Sequence, residues 1–143
     1  MTAPRLLACL ALAAALLSGC SQIVTRTLPE SRIGSYHHVF VEHRLADSYG
    51  VADEMARQLR EMGYDATSGA LTMLPQDAEV IVSYEDMWTW DFNTYMIAID
   101  VQVRTAHTDK ILAVGHYYRP AMVFGHPPSA MIHELLAKLF KQA

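Results

Sequence analysis

The sequence predicts an α+β fold: a two-layer sandwich in which a mostly antiparallel sheet of four to five strands carries two helices on one face. Three observations predict it. Two segments, one early and one at the C-terminal end, space their apolar residues three and four apart, as amphipathic helices do. The stretch after Asn93 alternates apolar and polar residues one by one, as a strand with one wet face does. The order strand, helix, several strands, helix lets both helices cover the same side of one sheet.

Tyr36 to Glu42 is rich in β-branched and aromatic residues and reads as the first strand. Asp47 or Ser48 is placed to cap the helix that follows, because a short side-chain oxygen accepts from free first-turn N–H groups. Val51, Ala52, Met55, Ala56, Leu59 and Met62 form its apolar stripe. Gly63 suits its end, since glycine takes the left-handed conformation there without penalty. Tyr64 to Ser68 reads as a short strand, followed by a loop around Pro75-Gln76-Asp77.

Glu79 to Asp86 has a continuous apolar centre, which predicts an interior strand. Met87-Trp88-Thr89-Trp90-Asp91-Phe92 follows and is the most distinctive segment of the domain. Beyond Asn93, Tyr95, Ile97, Ile99, Val101 and Val103 are expected on one face, with Met96, Ala98, Asp100, Gln102 and Arg104 on the other. Ala106 to Lys110 reads as a polar turn, and Ile111 to Tyr118 as the returning strand that Pro120 ends. Residues 120–128 read as an irregular loop. Ser129 is then expected to cap a last helix whose apolar side holds Met131, Ile132, Leu135, Leu136, Leu139 and Phe140.

Ahead of this domain lies a different kind of segment. Arg5 precedes Leu6 to Leu17, which is nearly all Leu and Ala, and small residues close the run. These are the parts of a secretory signal, and the run is shorter than the roughly 20 residues a membrane-spanning helix needs. Leu16-Leu17-Ser18-Gly19-Cys20 resembles the lipobox of bacterial lipoproteins, where a small residue precedes the cysteine that becomes the acylated N-terminus. The resemblance implies a signal peptide at 1–19, acyl chains such as palmitate on Cys20, and a bilayer as partner of that residue. Ser21 follows Cys20 in place of the Asp that resembles an inner-membrane retention signal. This implies the outer membrane of a Gram-negative cell, with the domain facing the periplasm. Residues 20–35 are expected to be the acylated cysteine and a tether, and residues 36–143 the single globular domain.

Cys9 and Cys20 are the two cysteines of the chain, so the mature domain has no thiol left for a disulfide or a thiolate metal site. The formal charge is −4 at pH 7, and removal of Arg5 with the leader makes it more negative. That balance excludes nucleic acid and anionic lipid as electrostatically attracted partners.

The residues offer little that suggests catalysis. His133-Glu134 begins a zinc-protease helix motif, but position 137 is Ala where the second imidazole is needed. His37, His38 and His43 are spread along one extended segment, and His116 would have to approach from another strand to complete a metal site. There is no Gly-x-Ser-x-Gly elbow and no phosphate-binding glycine loop. Glu85, Asp86 and Asp91 suit solvated turn positions better than a working carboxylate pair. The domain is read as non-enzymatic, with no metal and no cofactor.

Trp88 and Trp90 flank Thr89, so an extended backbone sends both to one side. With Tyr84, Phe92 and Tyr95 nearby they offer an aromatic binding groove in which Asp91 is placed to orient a ligand, since Trp and Tyr concentrate at interaction hot spots. The other use of the two indoles is to close the end of the core. Phe124, in the apolar loop Met122-Val123-Phe124, is a further candidate contact or a cover for the helix layer.

Ala78 to Glu85, the Trp88-Thr89-Trp90-Asp91 segment, the long hairpin and the last helix resemble small bacterial lipoproteins of unknown function. That family implies a compact α/β domain similar to those of envelope assembly and secretion proteins. The expected role is therefore a non-catalytic, membrane-anchored periplasmic lipoprotein that acts as an interaction or assembly module, with an envelope protein as partner. The alternatives are a periplasmic small-ligand or metal-binding domain and an accessory lipoprotein of lipid transport.

Overall fold

A computed structural model describes residues 21–28, 31–120 and 126–141 of the chain. The expected signal segment, Cys20 and Phe124 lie outside the described residues. Six strands and two helices follow in order: β1 Gln22–Thr27, β2 His38–Glu42, α1 Val51–Glu61, β3 Asp65–Gly69, β4 Val80–Asp91, β5 Asn93–Thr105, β6 Ile111–Tyr118 and α2 Pro128–Lys141.

The strands form one mixed sheet in the order β1-β6-β5-β4-β2-β3. β4, β5, β6 and β1 pair antiparallel, while β2 runs parallel to both β3 and β4. The α+β class with two helices is as the sequence predicts, but the sheet is larger and less uniformly antiparallel than expected. The short Asp65–Gly69 strand pairs in parallel because α1 carries the chain back across the sheet before it begins, as a crossover connection must.

The sixth strand comes from the expected tether. Gln22–Thr27 lies antiparallel to β6 along its whole length. Its side chains alternate between exposed and half-buried, and Ile23 packs against the core. Ile33, in a single 3-10 turn at Ile33–Ser35, is 2% exposed. The alternation Gln-Ile-Val-Thr-Arg-Thr is short and half polar, as an edge strand is, and so resembles a linker in composition.

Both helices cover one face. Val39, Val41, Val80, Val82, Ile99, Val101 and Val103 meet Ala52, Met55 and Leu59 of α1 and Met131, Leu135 and Leu139 of α2 in one core. Gly115 on β6 makes room for α2. A Cβ there would come within 2.8 Å of Leu135 Cδ1 and 3.1 Å of Leu139 Cδ1. The opposite face holds a smaller cluster of Phe40, Ala78 and Ile81 beneath Leu74 and Ala106.

The helix ends follow ordinary chemistry. Asp47 does cap α1, but from three residues before the cap position, which Gly50 occupies with φ of 66°. Its carboxylate accepts from the N–H groups of Val51 at 3.0 Å, Ala52 at 3.1 Å and Tyr49 at 3.3 Å. Gly63, at φ 98°, ends the helix. Tyr64 N–H reaches the Leu59 carbonyl and Gly63 N–H that of Arg60, both at 3.0 Å. α2 begins at Pro128, so Ser129 sits inside the first turn instead of capping it. Proline suits that first position because its missing N–H would have had no helical partner. The Ser129 carbonyl instead accepts from Gln58 Nε2 of α1 at 2.8 Å, tying the two helices together.

Candidate functional site

The Trp-rich segment is the distal half of a long hairpin formed by β4 and β5. Near the core, Val82 faces Val103 and Tyr84 faces Val101. The register then shifts: Met87 pairs with Ala98, but Trp88 pairs with Met96. Ile97 is the extra residue of a β-bulge, and its carbonyl accepts from Arg119 N–H at 2.8 Å. The bulge turns Met96 onto the helix-side face, where it is 3% exposed. The regular alternation expected from Tyr95 to Arg104 therefore breaks at Ile97.

The bulge also separates the aromatic residues. Residues 84, 86, 88 and 90 share the helix side of β4, so Trp88 and Trp90 do project together. Tyr95 pairs with Thr89 and belongs to the other face, so it cannot line a groove with the two indoles. Asp91 is exposed and pairs with Asn93 across the tip.

Trp88 and Trp90 then divide the two uses open to them. Trp88 is half-buried against the core and stacks on Tyr49, with ring centroids 3.9 Å apart. Its indole N–H donates to Asp86 Oδ2, and the other oxygen of Asp86 accepts from Arg44 Nη1 at 2.5 Å. The Asp86 side chain is only 8% exposed, so these two donors stand in for the water it has lost. Trp90, one step further out, is 72% exposed, with the tilted ring of Phe92 6.4 Å away. Phe92 forms the turn itself. It is 89% exposed and holds φ of 61°.

Asp86, Arg44 and Tyr49 are the residues that sequence reasoning missed as parts of this site. Only Asp86 gave a signal, as a carboxylate two positions before a tryptophan on one strand face. Tyr49 and Arg44 come from the loop after β2, and no local pattern links them to Trp88.

Beside the Tyr49–Trp88 stack lies an open groove of about 620 Å³, walled by α1 from Val51 to Arg60 and by the first turn of α2. Both of its cations are already engaged: Arg57 by Glu54 at 2.6 Å and Glu61 at 2.5 Å, and Arg60 by the Ala66 carbonyl, to which it donates at 2.9 Å. At the start of α1, burial of Asp47 is outweighed by the amides of Ala52, Val51 and Tyr49 and the nearby Tyr84 hydroxyl, which hold its carboxyl below the usual range. Burial, with Asp47 alongside, pushes the Tyr84 phenol up. On the α1 side, Ser68 and then His43 hold the Asp53 carboxyl down.

The histidines do not converge. His38 pairs with Asp65, His43 with Asp53, His116 with Asp100 and His126 with Glu134. Among the described residues, no group of three or more His, Cys, Asp or Glu is placed to hold a metal ion. Among them, too, no helix is long and apolar enough to cross a membrane.

The fold is similar to that of PelC. A dodecamer of a single-substitution PelC variant from Paraburkholderia phytofirmans superposes with a TM-score of 0.59 at 12% identity, covering 84% of this chain and 95% of that one. A second PelC dodecamer from the same organism gives 0.58 at 13% identity, covering 84% and 94%. A DUF4136 family protein from Bacteroides thetaiotaomicron gives 0.55 at 7% identity, covering 85% and 95%. At these identities the likeness is one of fold. No family profile and no curated relative matches the sequence. The expected resemblance to small compact bacterial domains thus holds for the architecture, with PelC and DUF4136 proteins as its structural neighbours.

Proposed function

We propose that this chain is a non-catalytic module of the bacterial envelope, held at the periplasmic face of the outer membrane by acyl chains on Cys20. It works by contact, and the distal β4–β5 hairpin is its contact element. One observation carries this reading: Trp90 and Phe92 expose large rings at the end of a hairpin whose base is firmly built. Monomeric proteins seldom leave such residues side by side in water without a use for them. The base supports precise presentation, because Asp86, Arg44 and Tyr49 fix Trp88 just behind the tip.

The PelC neighbours are dodecamers, which supports an assembly of several copies as the form the module takes. The sheet has two ends for such contacts, β1 and β3. The test places a photo-crosslinking amino acid at position 90 in living cells and measures the native mass of the detergent-extracted protein by light scattering. Crosslinks to an envelope component, lipid or protein, are expected. A freely soluble monomer that crosslinks to nothing would refute the reading.

A further inference from the structure

The sheet register fixes which end of the domain the N-terminus leaves. Gln22 pairs with Tyr118, Tyr118 with Ala98, and Ala98 with Met87. These four residues form one row across the sheet. From Met87 the hairpin runs on for four more residues to Asp91, about 13 Å at the usual strand rise. From Gln22 the chain runs back toward Cys20, two residues away and within about 7 Å by chain length alone. The attachment point and the aromatic tip thus belong to the same end of the molecule. β2 runs parallel to β4, so its C-terminal end points this way as well, bringing the fully exposed Leu45.

The tip carries two costs that folding does not require. Phe92 gives its ring to solvent, and its backbone sits in the left-handed region, which is unfavourable for a bulky side chain. Glycine would remove both. Strain and exposure at one residue point to a use for that ring.

We infer that the hairpin tip, through Trp90 and Phe92, enters the interfacial zone of the same membrane that holds the N-terminus. This rests on the membrane attachment proposed above and names the bilayer as what the tip contacts. Indole and phenyl rings favour the headgroup level, where an apolar body meets a wet boundary. Asp91 lies between them and is exposed, so the surface that suits the tip is zwitterionic instead of anionic. Inserting the tip gives the domain a second attachment beside the acyl chains, which sets its orientation on the membrane.

The test uses the full chain purified from membranes and reconstituted in vesicles of phosphatidylethanolamine and phosphatidylcholine. Trp88→Phe leaves Trp90 as the sole tryptophan. Bromine-labelled acyl chains are expected to quench its emission about twofold, with protection from aqueous iodide, as for a ring at the interface. Should Trp88→Phe fold poorly, the difference between the parent and Trp90→Phe isolates the same signal. Full iodide access without bromolipid quenching, in protein that floats with the vesicles, overturns the inference. Protection from both quenchers also overturns it, by placing the ring against another protein surface or a second copy. Mass spectrometry of the same sample reads acylation separately. A bare Cys20 sulfur refutes the anchor, while the quenching of Trp90 in protein that floats with the vesicles still decides what the tip contacts.

Discussion

Replacing Asp86 by Ala tests whether the base of the hairpin is built as described. The carboxylate is 8% exposed and receives the Trp88 indole N–H on one oxygen and the Arg44 guanidinium on the other. Alanine leaves both donors without their acceptor. Arg44 is 38% exposed and turns to water, so its share is discounted as for a surface pair, to less than about 1 kcal/mol. The indole N–H is half-buried beneath Tyr49, and leaving such a donor unpaired costs about 1–3 kcal/mol. The expected total is about 2 kcal/mol, read as a lowered urea midpoint. At a slope of about 1–3 kcal/mol per molar, the shift is near 1 M. Asp86→Asn keeps an acceptor for the indole and should lose about half as much. A double-mutant cycle with Trp88→Phe isolates the pair and should show coupling of about 1 kcal/mol. A midpoint for Asp86→Ala unchanged within error, or no coupling to Trp88, would show that the tip does not depend on this contact.

Gly115→Val should destabilise by about 1–3 kcal/mol, because the added atoms meet Leu135 and Leu139 in a closed core. Gly115→Ala should cost less, since terminal methyls can shift; thermal unfolding of both variants checks the order. Phe92→Gly should raise stability by about 1 kcal/mol by relieving the left-handed backbone, while abolishing the contact role assigned to the ring; denaturant titration paired with the vesicle measurement separates the two. Acid should weaken the fold. Asp47 is held down by helix amides, and Glu79 by the N–H groups of His38 and His37. Both folded values lie below the unfolded ones. Their contribution is therefore complete above the unfolded pKa of about 4 and is lost as pH falls through the folded values. Asp47→Asn should flatten that acid limb in a stability-versus-pH series.

Most of the architecture was legible because it depends on periodicity. The stripe Val51 to Met62, the alternation Ile99 to Val103 and the stop at Gly63 each express a local rule, and each lies where the sequence predicts. What was not legible depended on partners distant in sequence. Gln22–Thr27 becomes a strand because β6 offers an edge, and its own residues carry no stronger signal than a linker's. The parallel pairing of β2 with β3 and β4 depends on how α1 crosses the sheet. The bulge at Ile97 has no local signature at all: Tyr95-Met96-Ile97-Ala98-Ile99 is nearly all apolar, so either parity fits. That one inserted residue decides that Met96 joins the core and that Tyr95 parts company with the tryptophans. The pair Trp88 and Trp90 was legible as a pair, but not its division into a structural and an exposed member. That division follows from where the helix layer ends and the Tyr49 loop takes over.

The placement of costs in the molecule is uneven, and this bears on the proposed contact role. At the end where β4 begins, polar groups are closed off: Glu79 Oε2 clamps the amides of His37 and His38 at 2.6 and 2.9 Å. The Ala106 amide meets the Glu79 carbonyl there at 2.8 Å. At the other end, Leu45, Trp90 and Phe92 are all exposed, beside a Tyr49 whose ring braces Trp88. A chain selected for solubility alone would gain by exchanging any of the three for a polar residue, because none lies in the buried core. Scattered exposed apolar residues need no explanation, but three at one end, one of them on a strained backbone, do. A contact surface at the end of the proposed attachment accounts for all three with one cause. It also explains why Asp86 is buried: a hairpin that must hold its tip at a fixed height needs a stiff base, and a carboxylate with two donors supplies one that an apolar pair in the same place would not orient.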